Sequence, residues 1–200
     1  MSIFSDFHGG SIRIIDTSDK GQTRLGLKSD PCARFAQGFF FGVVGGASSR
    51  NLVIEGVGNS TFPKGWLNYQ AFSSRDKIHW VRCETRFEEG CLHIGHQQSQ
   101  TDTYYAYFHP YGPEQHNAML AFCKEDTRTR VTRLCATSEL DNVELICAGS
   151  EREDAPRIWI IGRQHPGETQ PSWWMDGFCA GCSILSMGNP ETSWSRYASI

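Results

Sequence analysis

Residues 157–178 read RIWIIGRQHPGETQPSWWMDGF, and this stretch decides the kind of fold to which the second half of the chain belongs. The apolar run from Arg157 to Gly162 has the length and composition of a buried strand. A helix from about Gly167 to Ala180 follows it after a short loop. The order strand, tight loop and helix predicts the beginning of an α/β layer, in which ligands commonly bind beyond the carboxyl end of a strand.

The residues before this stretch are organised differently, as short apolar or alternating runs separated by Gly, Asn, Ser and Asp. Short apolar runs separated by such turn-forming residues are typical of an all-β unit. Glu88-Glu89-Gly90 lies between two of these runs and predicts a hairpin turn, with Gly90 supplying a positive φ. The spacing is compatible with a β-sandwich. The predicted strands cover residues 11–15, 24–27, 36–44, 51–57, 78–85, 91–95 and 103–108.

The pattern changes at Pro113, which stands at the first turn of a predicted helix over residues 114–124. Strand-like runs follow over residues 131–136 and 143–147. The sequence therefore predicts a mixed fold. An antiparallel β-sandwich over residues 1–112 precedes the beginning of an α/β domain over residues 113–200.

His165 and Glu168 lie three residues apart, between the predicted strand and the predicted helix. An imidazole nitrogen and a carboxylate oxygen are common zinc donors, so the pair has the chemistry of two ligands in a catalytic metal site. Two plainer interpretations stay open. A carboxylate in the first turn of a helix is favoured by the helix dipole alone, and a loop histidine often binds only a backbone carbonyl.

The sequence around this pair, residues 157–178, closely resembles the zinc-binding segment of metallocarboxypeptidases of the cytosolic carboxypeptidase type. Four upstream segments also resemble that family: an opening strand, an aromatic strand, a Gly-Trp loop and the segment that joins its two domains. The resemblance covers roughly residues 4–178. The four segments are Phe7 to Ile12, Phe39 to Val43, Lys64 to Tyr69 and Tyr105 to Tyr111.

The resemblance implies a β-sandwich N-terminal domain followed by an α/β peptidase domain that binds Zn²⁺ through His165 and Glu168 together with a distant second histidine. It also implies hydrolysis of the last peptide bond of peptides or proteins, whose C-termini would be the substrate, acidic C-termini included. A glutamate late in the domain would act as general base. For Arg163 we expect a structural or supporting role.

Two features depart from the family's pattern. No histidine occurs after His165, and from about Cys179 the tail no longer resembles the family. We therefore expect a truncated chain whose active site is incomplete, and we name no catalytic residue because the general base falls in the missing part. Earlier histidines are candidates for a third ligand only in principle, since they belong to the sandwich, its junction or the first helix: His8, His79, His93, His96, His109 and His116.

The composition excludes several other classes. A formal net charge of −3 gives no electrostatic argument for binding nucleic acid. No stretch reaches the roughly 20 apolar residues that cross a bilayer, and no secretory signal is recognisable, so we expect no membrane partner and a cytoplasmic location. The eight cysteines are then expected to be reduced, mostly buried thiols, including those of Cys179-Ala180-Gly181-Cys182.

Three hypotheses about function follow. The chain derives from a zinc carboxypeptidase, or it is a catalytically inactive fragment whose sandwich serves as a binding or folding module. In the third, the tail from about Cys179 reflects a truncated or frame-shifted reading of a longer protein. The sequence leaves the oligomeric state open.

Overall fold

The computed structural model describes residues 2–19, 21–30, 33–137, 140–149, 152, 154 and 156–185. They form two compact units. The first unit comprises Met1–Pro110 together with Arg163–Gln170, and the second comprises Tyr111–Gly162 together with Pro171–Ile200. The loop that carries His165 and Glu168 therefore belongs to the first unit, although its neighbours on both sides in the chain belong to the second.

The first unit contains two five-stranded sheets among the residues described. Every neighbouring pair of strands is antiparallel except β3 and β5, which are parallel. One sheet has the order β1 (Ile3–Phe4), β4 (Phe40–Val43), β10 (Thr103–Ala106), β6 (Phe72–Ser74) and β7 (Val81–Arg82). The other has the order β2 (Arg13–Asp16), β3 (Gln22–Gly26), β5 (Arg50–Glu55), β9 (Cys91–His96) and β8 (Thr85–Glu88).

The two sheets share one hydrophobic core, so the predicted β-sandwich is confirmed. Side chains alternate along β9, where Leu92 and Ile94 are buried and His93 between them is partly exposed, as the two-residue period of a strand requires. The core cluster joins them to Phe41 and Tyr105 of the opposite sheet. The sandwich is not purely antiparallel, since β3 and β5 are parallel. Between these two strands the chain crosses to the other sheet and forms β4 there, and such a long connection allows parallel pairing.

The hairpin between β8 and β9 forms where the sequence predicts it. Glu88 pairs with Cys91, and the two residues between them both have positive φ, 50° at Glu89 and 76° at Gly90. A two-residue turn with both central residues in this region matches the right-handed twist of the flanking strands. The prediction for Gly90 is confirmed.

The strand predicted over residues 78–85 is broken. The Asp76 carboxylate accepts the backbone N–H groups of Ile78 and His79 at 2.8 Å each, which holds these residues in a turn. Only Val81–Arg82 and then Thr85–Glu88 are strands. Strands β1 and β6 were missed because two or three residues are too few to show an alternating pattern.

The second unit consists of α1 (Pro113–Glu125), the antiparallel pair β11 (Thr129–Ala136) and β12 (Asn142–Ala148), and α2 (Gln170–Leu185). The N-terminus of α1 is capped by the Gln115 side chain, which accepts a hydrogen bond from the Gly112 N–H at 3.0 Å. The unit buries a small cluster of Met119, Leu120 and Cys123, with partly buried neighbours packed on it. These neighbours are Phe122, Val131, Ile146, Met175 and Cys179.

The strand predicted from Arg157 to Gly162 is wrong. These residues have no regular secondary structure, and Ile158, Trp159 and Ile161 are 86%, 67% and 69% exposed. A strand needs a neighbour that pairs with its backbone N–H and C=O groups, and no strand among the described residues pairs with this segment. Helix α2 also begins at Gln170, later than expected.

No helix in the described part of the chain is long and apolar enough to cross a membrane. Six of the cysteines are described as free thiols: Cys83, Cys91, Cys123, Cys135, Cys147 and Cys179. Cys32 and the side chain of Cys182 lie outside the described residues, as does the tail from residue 186.

Candidate metal site

The loop with the two predicted ligands is a closed turn. The Glu168 N–H donates to the His165 carbonyl at 3.1 Å. Arg163 has a positive φ of 55°, uncommon for a residue with a side chain, and its guanidinium folds back to donate to the Pro166 carbonyl at 3.3 Å from Nε and 3.0 Å from Nη2. His165 and Glu168 therefore stand at the two ends of one hydrogen-bonded turn. Because α2 starts only at Gln170, Glu168 precedes the helix and is not a residue of its first turn.

The imidazole of His165 lies flat on the ring of Phe35. The ring centroids are 4.0 Å apart and the planes differ by 7°. Phe35 comes from the segment that leads into β4, and its carbonyl accepts the Asp30 N–H at 2.8 Å. A loop of the sandwich thus supplies one wall of the site.

Asp30 is a second acidic group at this site, beside Glu168. Its Oδ2 atom is buried and has no hydrogen-bond partner among the described residues. Burial raises the pKa of Asp30; the charge of His165 lowers this pKa and that of Glu168 raises it. Asp30 therefore lies within electrostatic range of both predicted ligands. Even so, no group of three His, Cys, Asp or Glu side chains in the described part is close enough to hold a metal ion.

The loop also packs closely on the segment that leads into β4 and on the segment after β10. A Cβ atom built on Gly38 would lie 3.2 Å from the Gly167 Cα, so the two glycines let the backbones approach. The Thr169 hydroxyl donates to the His109 carbonyl at 2.8 Å. Burial raises the pKa of Tyr107, a hydrogen bond with Gln37 opposes this shift and the Glu168 carboxylate adds to it.

The earlier histidines are mostly engaged elsewhere. His79 lies 2.7 Å from an oxygen of Asp76, and the buried His96 lies 2.8 Å from the Tyr105 hydroxyl. His116 lies 3.1 Å from a carboxylate oxygen in the second unit. Among the described residues none of them joins His165 and Glu168 in a three-donor group.

A separate shallow depression of about 390 Å³ lies over the sheet that contains β5 and β9, with Arg50, Asn51, Arg86 and His93 among its lining residues. Two of its polar side chains have partners: Asn51 Nδ2 lies 2.9 Å from His93 Nδ1, and Arg86 lies 3.5 Å from a carboxylate oxygen of Glu88. In contrast, Arg50 Nε is buried without a hydrogen-bond partner among the described residues. None of the residues that line it belongs to the loop with His165.

Sequence reasoning named His165 and Glu168 but missed Asp30, Phe35 and Gly38. One signal was present for Gly38, which interrupts the apolar run of a predicted strand. A glycine at such a position often marks the close approach of another backbone. No comparable signal identifies Asp30 or Phe35, because nothing nearby in the sequence indicates that they contact a loop far along the chain.

Comparisons with known proteins identify relatives of this chain. The model of the cytosolic carboxypeptidase N-terminal domain matches residues 3–108. An uncharacterized protein of Zymomonas mobilis is 32% identical over 178 residues, which cover 88% of this chain and 46% of that protein.

Two solved structures have nearly the same fold over almost the whole chain. A metallo-carboxypeptidase from Burkholderia cenocepacia superposes with a TM-score of 0.84 at 31% identity and covers 95% of this chain. A metallo-carboxypeptidase from Pseudomonas aeruginosa, in complex with (2-guanidinoethylmercapto)succinic acid, gives a TM-score of 0.81 at 27% identity and covers 98%. The chain spans 51% and 52% of these two proteins, about half of their length.

Proposed function

The chain belongs to the cytosolic carboxypeptidase family, and from this premise we propose that it carries part of the site of a zinc-dependent metallocarboxypeptidase, with His165 and Glu168 as two of the metal ligands. The observation that supports the proposal most is the hydrogen-bonded turn with these two side chains at its ends. The reaction we propose is hydrolysis of C-terminal residues from peptides or proteins in the cytoplasm. The metallo-carboxypeptidase relatives and the family's name support this proposal.

The residues of the loop fit a zinc ion in their chemistry. Imidazole and carboxylate are standard zinc donors, and a catalytic zinc usually has three protein ligands. When bound, zinc would polarise a carbonyl and lower the pKa of a water molecule toward about 7. His165 would bind through a ring nitrogen and Glu168 through its carboxylate, while Arg163 holds the turn closed through the Pro166 carbonyl.

Calorimetric titration with Zn²⁺ tests the metal role of the loop directly. We expect the chain to bind zinc, and we expect both His165→Ala and Glu168→Gln to weaken binding by more than about tenfold, because changes to groups that only orient a ligand already cost 10- to 100-fold. His79→Ala is the matched control, since it removes an exposed histidine of the same unit whose partner is Asp76. Equal zinc affinity in all four proteins would contradict the assignment.

A second function is supported by the division of the chain into units. The sandwich has its own core and includes the metal-ligand loop, which is consistent with a binding or folding module that lacks activity by itself. Incubating the purified chain with zinc and peptides that have free C-termini separates the two functions. Zinc-dependent release of single C-terminal residues would support the enzyme, whereas no release by a folded, zinc-loaded chain would support the module.

A further inference from the structure

We propose that Phe35 is a positioning residue for His165, fixing the plane of its imidazole, through which this residue would bind a metal ion. This inference rests on the proposed metal role of His165. The two rings are nearly parallel, with 7° between their planes, and their centroids are only 4.0 Å apart. A side chain from the sandwich thus determines the orientation of a ligand on a loop that lies far along the chain.

The geometry of the stack leaves the ligating edge of the imidazole free. Both ring nitrogens lie in the plane of the imidazole, and their lone pair or hydrogen points outward in that plane. A partner stacked on the face therefore blocks rotation of the ring without covering either nitrogen. Metal-binding histidines are commonly oriented by a hydrogen bond to the second nitrogen, and a stacked ring restricts the same rotation by contact.

Phe35 is itself held in place on both sides along the chain. Its carbonyl accepts the Asp30 N–H at 2.8 Å. The next residue, Ala36, donates its N–H to the Thr61 hydroxyl at 2.8 Å and accepts the Thr61 N–H at 3.1 Å. The ring therefore projects from a backbone segment that three hydrogen bonds fix to neighbouring segments of the sandwich.

The close approach of the two backbones brings the rings together. Gly38 and Gly167 lie so near each other that a Cβ atom on Gly38 would be 3.2 Å from the Gly167 Cα. Phe35 lies three residues before the first glycine and His165 two residues before the second. The backbone contact and the ring stack are thus two parts of one surface, on which the sandwich supports the loop.

Nuclear magnetic resonance on the metal-free chain tests the stack. We expect nuclear Overhauser contacts between the ring protons of Phe35 and the imidazole protons of His165, and an upfield ring-current shift of those imidazole protons. Phe35→Tyr retains a stacking ring and should keep the shift, whereas Phe35→Leu should abolish it. The resonances of His96 report that each variant is folded. Absence of the contacts in the wild-type chain would overturn the inference without any variant.

Titration with Zn²⁺ alone then tests positioning. Phe35→Leu should weaken zinc binding about tenfold, the lower end of the range for groups that orient a ligand, while Phe35→Tyr should bind like the wild type. The matched control is Phe62→Leu, which makes the same change at an exposed aromatic residue of the same unit. A wild-type chain that binds zinc no more tightly than Phe35→Leu would refute the positioning role. A wild-type chain that binds no zinc would instead refute the proposed metal role of His165.

Discussion

The first unit buries most of its apolar residues in one core, whereas the second unit has only a small core and leaves many of its apolar residues exposed. In the first, one cluster runs through both sheets and includes Trp66, Phe41 and Leu92, each 0% exposed. In the second, the buried cluster has three members among the described residues, and Ile158, at 86% exposed, belongs to an apolar segment without regular structure.

This difference shows that an apolar segment of sequence is not necessarily buried in the folded chain. Both units contain strongly apolar stretches, but among the described residues only the sandwich has two sheets that share one core on which such stretches can pack. The loop with His165 and Glu168 belongs to the unit with the extensive core. The candidate site is therefore supported by the part of the molecule in which the most apolar surface is removed from water.

The sharpest test of the comparison replaces one tryptophan in each unit. Trp66→Ala removes a buried ring that contacts Phe39, Tyr69 and Tyr107 and should destabilise the first unit by about 3–5 kcal/mol. Trp159→Ala should change stability by less than about 0.5 kcal/mol, since its side chain is mostly exposed. Urea unfolding followed by near-ultraviolet circular dichroism measures both values. Similar losses for the two variants would remove the distinction between the units.

A smaller effect is expected from adding one methyl group to a glycine in each unit. Gly38→Ala should cost about 1–3 kcal/mol, because the new Cβ meets the backbone of Gly167, which cannot rotate away as a side chain would. Gly177→Ala is the matched control: nothing lies within 4 Å of its Cβ position in α2. It should stabilise the second unit by about 1 kcal/mol through helix propensity. Thermal unfolding of both variants provides the comparison, and a neutral Gly38→Ala would argue against the close approach.

The smallest expected effect is a dependence of the first unit's stability on pH. Burial lowers the pKa of His96; the Ala47 backbone opposes this shift and the Arg50 charge adds to it. The unfolded chain therefore takes up a proton at this residue near pH 6.5, and the folded chain does so only at lower pH. The free energy of unfolding should fall as the pH is lowered through this interval.

Urea unfolding at about pH 7.5 and about pH 5.5 measures that decrease, since the two values bracket the unperturbed pKa of histidine. His96→Gln should show a smaller decrease, because the variant has no group at this position that takes up a proton. His79→Gln, at an exposed histidine, should keep the wild-type contribution of His96 and serves as the control. An unchanged pH dependence in His96→Gln would show that burial of this imidazole does not cause it.

Elements with a local signal could be predicted from the sequence. The turn at Glu89-Gly90 and the helix beginning at Pro113 depend on backbone preferences of a few adjacent residues, and both form as expected. The predicted strand at residues 157–162 failed because apolar residues favour burial but cannot supply a pairing partner. Its side chains are exposed, and it pairs with no described strand.

For the candidate site, the sequence by itself provided two candidate metal donors three positions apart, His165 and Glu168. It also provided a family resemblance that the comparisons confirm. Only the tertiary structure decided that this turn lies on the sandwich, with Phe35 stacked on the imidazole and Gly38 against Gly167. The physical reason is the range of the interactions. Turn and helix preferences act between adjacent residues, whereas ring stacking and backbone contact between distant segments exist only after the sheets have packed into a common core.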